Sequence, residues 1–294
     1  MCKQRKILSY CLFQTSKKEN RKWDKYQNVP DRYFVNIPFL LLTRDILFPQ
    51  YTMVFHVDSY YYNHPLFELI KFASTKSEFI EIKVIENLQE NDFAAASWRM
   101  LPFFDDRTDL LYCRDIDSLT TSKEFKTMMF FESADYKLYT NRSHAPGHKT
   151  DRIKILAGLC GFKPKEMTLG ISYEEFVNVD CNIWIQDQRS LEKYFYGVDK
   201  KYFLDVPTRN LKIIELNEEK SSYWIEDLPI NVKDFTDSQG VKYLEFLDSL
   251  TTWEGEPLDV RAKVDTFFSF SGDSLCIIKE IFGNNKVIRE FYGK

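Results

Sequence analysis

Apolar and polar positions alternate between two periods along the first two thirds of the chain. Ile7, Leu8, Tyr10, Leu12 and Phe13 form a short apolar run, which predicts a buried strand over 7–13. Residues 14–28 are polar and basic, with Lys17, Lys18, Arg21 and Lys22, and predict a loop, either solvated or a rim around an anion. Over 33–48, Phe39, Leu42 and Ile46 fall at helical spacing between Pro38 and Pro49. A second strand is expected over 52–57, followed by a helix with Pro65 in its first turn and Leu66, Leu69, Ile70 and Ala73 on one face. Ile80, Ile82 and Val84 alternate, which predicts a third strand. A helix over 93–100 then leads to Leu110-Leu111-Tyr112-Cys113, a fourth strand. This strand–helix rhythm predicts an α/β fold with a Rossmann-like central sheet flanked by helices.

Later signals are weaker. A helix is expected from about 122 to 133, with Thr121 and Glu124 placed for a capping box. Residues 141–148 read as a loop from their Pro-Gly and polar content. Residues 153–162 are apolar with two glycines, which allow close backbone approach to a ligand. A helix is expected over 188–196. Residues 211–216 suit a late strand, 241–250 a helix, and 267–292 short strands around a Gly283-Asn284-Asn285 turn. The organisation expected is a catalytic domain over 1–215 and an extension over 216–294 packed on it.

The chain has 294 residues, enough for a full core. Its net charge of −4 gives no sign of general nucleic-acid binding. The six cysteines lack zinc or redox spacing and are read as reduced thiols. No segment is expected to span a membrane, because Arg44-Asp45 break the apolar stretch over 39–48. The start of the chain reads as a strand rather than a secretory signal. A cytoplasmic protein is the expectation.

The candidate chemistry lies just after the fourth strand, at Arg114-Asp115-Ile116-Asp117-Ser118. Acids two apart on an extended segment share a face. At the carboxyl end of a parallel strand they lie where open α/β sheets bind ligands. Hard carboxylate oxygens there suit Mg²⁺ or Mn²⁺ shared with phosphates, and Asp115 and Asp117 are the candidate metal ligands.

The residues around the acid pair carry a resemblance. Trp98-Arg99-Met100-Leu101-Pro102, then Asp105-Asp106, the strand, and Arg114-Asp115-Ile116-Asp117-Ser118 resemble a glycosyltransferase family of the GT-A type with an Arg-Asp-x-Asp-Ser (DxD) motif. Residues 142–148 are similar to that family's Arg-Asp-His-x-x-His loop. Residues 156–161 are similar to its Gly-Gly-x-x-Gly segment, and Ile185-Gln186-Asp187-Gln188 to its Gly-x-Asp-Gln turn. The match covers roughly residues 5–200. It departs at Ser143, where Asp is usual, and at Gln186 after Ile185, where Gly is usual. A C-terminal histidine ligand is absent too, since the histidines are His56, His64, His144 and His148.

The resemblance implies a GT-A-like (nucleotide-diphospho-sugar transferase) fold. It implies transfer of a sugar from a nucleotide-sugar donor to a hydroxyl acceptor on a glycan, a protein or a small molecule, with Mn²⁺ or Mg²⁺. Arg99 or Arg114 would contact donor phosphates, and His148, with His144 as second choice, phosphate or metal. Arg99 is equally read as a buried partner of Asp105 or Asp106. Asp187 is the candidate catalytic carboxylate, and equally a helix cap. An inactive nucleotide-binding module on the same fold and a nucleotidyltransferase are the alternatives.

Overall fold

The computed structural model describes residues 4–13, 32–86, 92–116, 118, 120, 122–141, 154–178, 186–206 and 273–292. Its strands are β1 (Lys6–Leu12), β2 (Tyr51–Val57), β3 (Ile80–Val84), β4 (Leu110–Arg114), β5 (Leu138–Asn141), β6 (Leu159–Phe162) and β7 (Phe203–Val206). They form a seven-stranded sheet in the order β3-β2-β1-β4-β6-β5-β7. All run in one direction except β6, which is antiparallel to both β4 and β5. The architecture is α/β with a central sheet flanked by helices, as the strand–helix rhythm predicts.

Alternation along the strands assigns each side chain to a face. Leu8, Tyr10 and Leu12 of β1 face one way, with Leu110 and Tyr112 of β4. They pack under α2 (Ile37–Leu47), which follows the short α1 (Arg32–Val35), under α4 (Glu68–Lys76), which follows the short α3 (Ser59–Tyr62), and under α5 (Ser122–Ser133). Ile7 of β1 faces the other way, with Leu111 and Cys113 of β4 and Cys160 and Phe162 of β6. That face is covered by a 3₁₀ segment (Asp92–Phe104), by α6 (Tyr173–Val177) and by α7 (Gln186–Phe195). Both faces are therefore apolar, which explains why these strands read as continuous hydrophobic runs.

The segment expected as an α-helix over 93–100 is 3₁₀ instead and extends to Phe104. Its carbonyls are drawn to side chains. The Ala96 carbonyl accepts from Arg99 Nε at 3.0 Å and Cys11 Sγ at 3.7 Å, and the Arg99 carbonyl accepts from Cys113 Sγ at 3.4 Å. Pro102 lies inside it and has no N–H to give. The helix expected after Pro65 begins as a 3₁₀ turn, Pro65–Phe67, before α4.

The largest correction is at the C-terminus. Where short strands were expected over 267–292, the described residues from 273 on form helices, α8 (Asp273–Asn284) and α9 (Lys286–Tyr292). Ile277, Ile278, Ile281 and Phe282 share one helical face and enter the core beside α4 and α2. Gly283-Asn284-Asn285 is a break between helices, not a hairpin turn: Asn285 Oδ1 accepts from the Ile288 N–H at 3.1 Å. The Ser274 N–H bonds to Asp45 Oδ2 at 2.9 Å, joining α8 to α2. The strand expected over 211–216 and the helix over 241–250 lie outside the described residues. Among the described residues no helix is long and apolar enough to cross a membrane, and Cys11, Cys113, Cys160 and Cys276 are thiols.

The stripe on α8 can be tested by denaturation. Ile278→Ala, at a position with no exposure, should lower unfolding free energy by about 2–5 kcal/mol. Val287→Ala, half exposed on α9, should change it by less than about 0.5 kcal/mol. Equal losses in the two variants would mean that α8 does not form part of the core.

Candidate functional site

Strand order turns at β1. From β1 the chain moves outward to β2 and β3, then returns to place β4 on the other side of β1. A crevice opens at such a point beyond the carboxyl ends of the strands. Asp115 follows directly on β4, at the carboxyl end of the strand beside this switch point.

Three further pieces of chain converge on Asp115. The 3₁₀ segment brings Arg99, whose Nη1 donates to Asp115 Oδ1. The first turn of α7 brings Asp187, with Oδ2 at 3.5 Å from Arg99 Nη2. The chain entering β6 brings Gly158, whose carbonyl accepts from the Asp115 N–H at 3.2 Å. A β-carbon on Gly158 would lie 1.9 Å from Asp115 Oδ2, so the carboxylate occupies the space a side chain would need. The result is a carboxylate–guanidinium–carboxylate row. Asp115 is 37% exposed at one end, while Arg99 (9%) and Asp187 (7%) are buried behind it.

Burial works against the Arg99 charge, but Cys11, once ionised at high pH, and the carboxylates Asp115 and Asp187 more than offset it, and its pKa is raised well above the ordinary value. Burial also pushes the Asp187 carboxyl up; Arg99 pulls it back and Asp115 adds to the rise. Asp187 Oδ1 accepts from the Gln188 N–H at 2.8 Å. The Cys11 thiol is pushed up to about 11 by burial and stays protonated at neutral pH.

The other expected site residues are placed differently. Arg114 precedes Asp115 on an extended backbone and so points to the opposite face. It is buried, its guanidinium pairs with Glu124 of α5, and its Nη2 donates to the Ser118 carbonyl at 3.3 Å. Its charge is thus met inside the protein, away from the half-open Asp115. Asp117, His144 and His148 lie outside the described residues. Arg99 is a buried ion-pair partner as one reading held, but of Asp115 and Asp187; Asp105 is taken by Arg5 at 2.6 Å and Arg107 at 2.7 Å. Gly158 and Glu124 were not singled out by sequence reasoning for these contacts. The alternation of Arg114 and Asp115 along one strand was the available signal that both could not face one ligand.

The donor set bears on metal binding. No group of three or more His, Cys, Asp or Glu side chains is placed to hold a metal among the described residues. Asp115 supplies one hard, half-open carboxylate. That is compatible with Mg²⁺ or Mn²⁺, which take one or two carboxylates and complete their shell with phosphate oxygens and water. A groove of about 240 Å³ lies elsewhere, against β2 and β3, lined by Arg5, His56, Lys83, Asp105 and Arg107 among others. Its cations are matched locally by Asp105 and Glu81, and it contains none of the expected site residues.

The Asp187 shift gives a pH prediction. A carboxyl raised in the folded state favours the protonated form more than the unfolded chain does. Its contribution to stability is therefore present below the unfolded value of about 3.9 and is lost as pH rises through the folded pKa. The stability of the wild type relative to Asp187→Asn should fall as pH rises through that window. Denaturation midpoints of both proteins across that range measure it; a difference that rises with pH would contradict the placement.

No family model matches the chain, and no curated protein matches it. Among solved structures it is similar to 4-diphosphocytidyl-2C-methyl-D-erythritol synthase from Anaerococcus prevotii DSM 20548, at 11% identity and a TM-score of 0.40, over 70% of this chain and 90% of that one. It is also similar to the apo-form glycosyltransferase GlyE of Streptococcus pneumoniae TIGR4, at 13% identity and a TM-score of 0.45. That alignment covers 92% of this chain, which spans 64% of the GlyE chain.

Proposed function

We propose that this chain is a glycosyltransferase that moves a sugar from a nucleotide-sugar donor to a hydroxyl acceptor, with Mn²⁺ or Mg²⁺ held by Asp115 and Asp117. One observation carries the reading: a half-open carboxylate, fixed by Arg99 and Gly158, stands where the strand order turns at the ligand end of an α/β sheet. The divalent ion, when bound, would offset charge on the departing nucleoside diphosphate.

The protein's own residues have separable tasks. Asp115, with Asp117, would hold the ion, which would supply positive charge against the diphosphate. Arg99 fixes the carboxylates of Asp115 and Asp187 relative to each other. Asp187, buried behind Arg99, would have to be uncovered to meet an acceptor hydroxyl; its basicity, raised by burial, suits it to take a proton there. His144 and His148 remain candidates for phosphate contact. Arg114 supports the turn after β4 through Glu124 and the Ser118 carbonyl.

The test is nucleotide-sugar hydrolysis with Mn²⁺. Asp115→Ala, with its fold checked by circular dichroism, should lose about a hundredfold or more of the rate, the scale of losing one electrostatic stabiliser of transition-state charge. A wild-type rate in that variant would exclude the metal role. Binding of a nucleoside diphosphate with no turnover by the wild type would select the inactive module, and release of pyrophosphate a nucleotidyltransferase.

A further inference from the structure

We infer that Arg99 is an internal counter-ion that makes divalent-metal binding at Asp115 conditional on the nucleotide. The inference rests on the metal role proposed for Asp115 and concerns what the residue beside it does.

The geometry is specific. Arg99 Nη1 binds the Oδ1 oxygen of the half-open acid, and Nη2 faces the buried acid. The guanidinium therefore lies between the two carboxylates. Among the described residues, Arg99 is the cation set directly against Asp115 and Asp187, so it lowers the negative charge offered to a divalent ion at Asp115. A divalent ion approaching Asp115 alone meets a carboxylate already engaged and a like charge directly behind it. Bringing in a diphosphate changes this balance, because its oxygens add negative charge and ligands on the open side. Arg99 cannot step away, since it is 9% exposed and its Nε is tied to the Ala96 carbonyl at 3.0 Å. Its positive charge is a fixed part of the site.

Removing that charge should reverse the preference. Arg99→Gln puts a neutral side chain beside Asp115, whose negative charge is then no longer opposed by the guanidinium. Mn²⁺ binding is read directly by electron paramagnetic resonance of the unbound ion, alone and with UDP, GDP, CDP or ADP in turn. The wild type should bind Mn²⁺ weakly alone and markedly tighter with one nucleotide. Arg99→Gln should bind Mn²⁺ alone about tenfold tighter than the wild type, the order expected for removing one nearby charge at a partly solvated site. Its gain from the nucleotide should shrink accordingly. Arg99→Lys keeps the charge and should keep the wild-type dependence.

Each outcome is decisive. A wild type that binds Mn²⁺ with none of the nucleotides overturns the functional reading and this inference together. A wild type that binds Mn²⁺ with a nucleotide, beside an Arg99→Gln protein with unchanged metal affinity, overturns this inference alone. Arg99→Lys behaving like Arg99→Gln does the same. If Arg99→Gln fails to fold, the wild type and Arg99→Lys decide, and equal Mn²⁺ affinity with and without nucleotide in both overturns the inference.

Discussion

A buried guanidinium must be matched by negative charge, and at the end of β4 that requirement joins three distant stretches of chain. Arg99 is almost out of contact with water, so its charge is tolerable only with Asp115 and Asp187 at hand. Taking away one partner of such a buried group typically costs about 3–5 kcal/mol, because the remaining charge is stranded. The 3₁₀ segment, the end of β4 and the first turn of α7 are therefore held in mutual register by electrostatics as well as by the apolar packing below them. The carboxylate presented to solvent is the outermost part of this arrangement, and its position is set by groups behind it.

A second buried pair, Arg114 with Glu124, lies on the other face of the same strand. Arg114, the last residue of β4, and Asp115, which follows it, thus supply a cation to one side of the sheet and an anion to the other. The first ties the strand to α5, and the second meets the cation of the 3₁₀ segment. Between them the backbone that leads into the acidic turn is anchored from both sides. This is how a site near a loop acquires the rigidity of a strand.

Much of this was legible from residue order. Strands β1, β2 and β4 are apolar on both sides, β3 alternates apolar with charged residues, and polar turns bound them, so their period is plain. The four-residue strands β5 (Leu138–Asn141) and β7 (Phe203–Val206) were missed because each carries only two or three apolar residues among polar ones. At the C-terminus a Gly-Asn-Asn sequence suggested a hairpin, while Ile277, Ile278, Ile281 and Phe282 follow a helical stripe that outweighs it. Asp115 could be found because its position after an apolar strand is a local property. The partners of Arg99 could not: Asp187 is far away in sequence, and nearby Asp105 and Asp106 were equally plausible on charge alone. Arg114 was misdirected by treating a motif as a unit, whereas a strand sends neighbouring side chains apart.

The reversed strand also governs how such a protein can vary. Parallel strands begin at the opposite end of the sheet, so the residues that directly enter them lie away from the mouth beside Asp115. Because β6 runs the other way, its entry point, with Gly158 against Asp115, is at that mouth. Changes in length or sequence upstream of β6 can therefore reshape the entrance while leaving the paired strands untouched. A constraint of chain direction becomes a place where specificity can be altered without rebuilding the core.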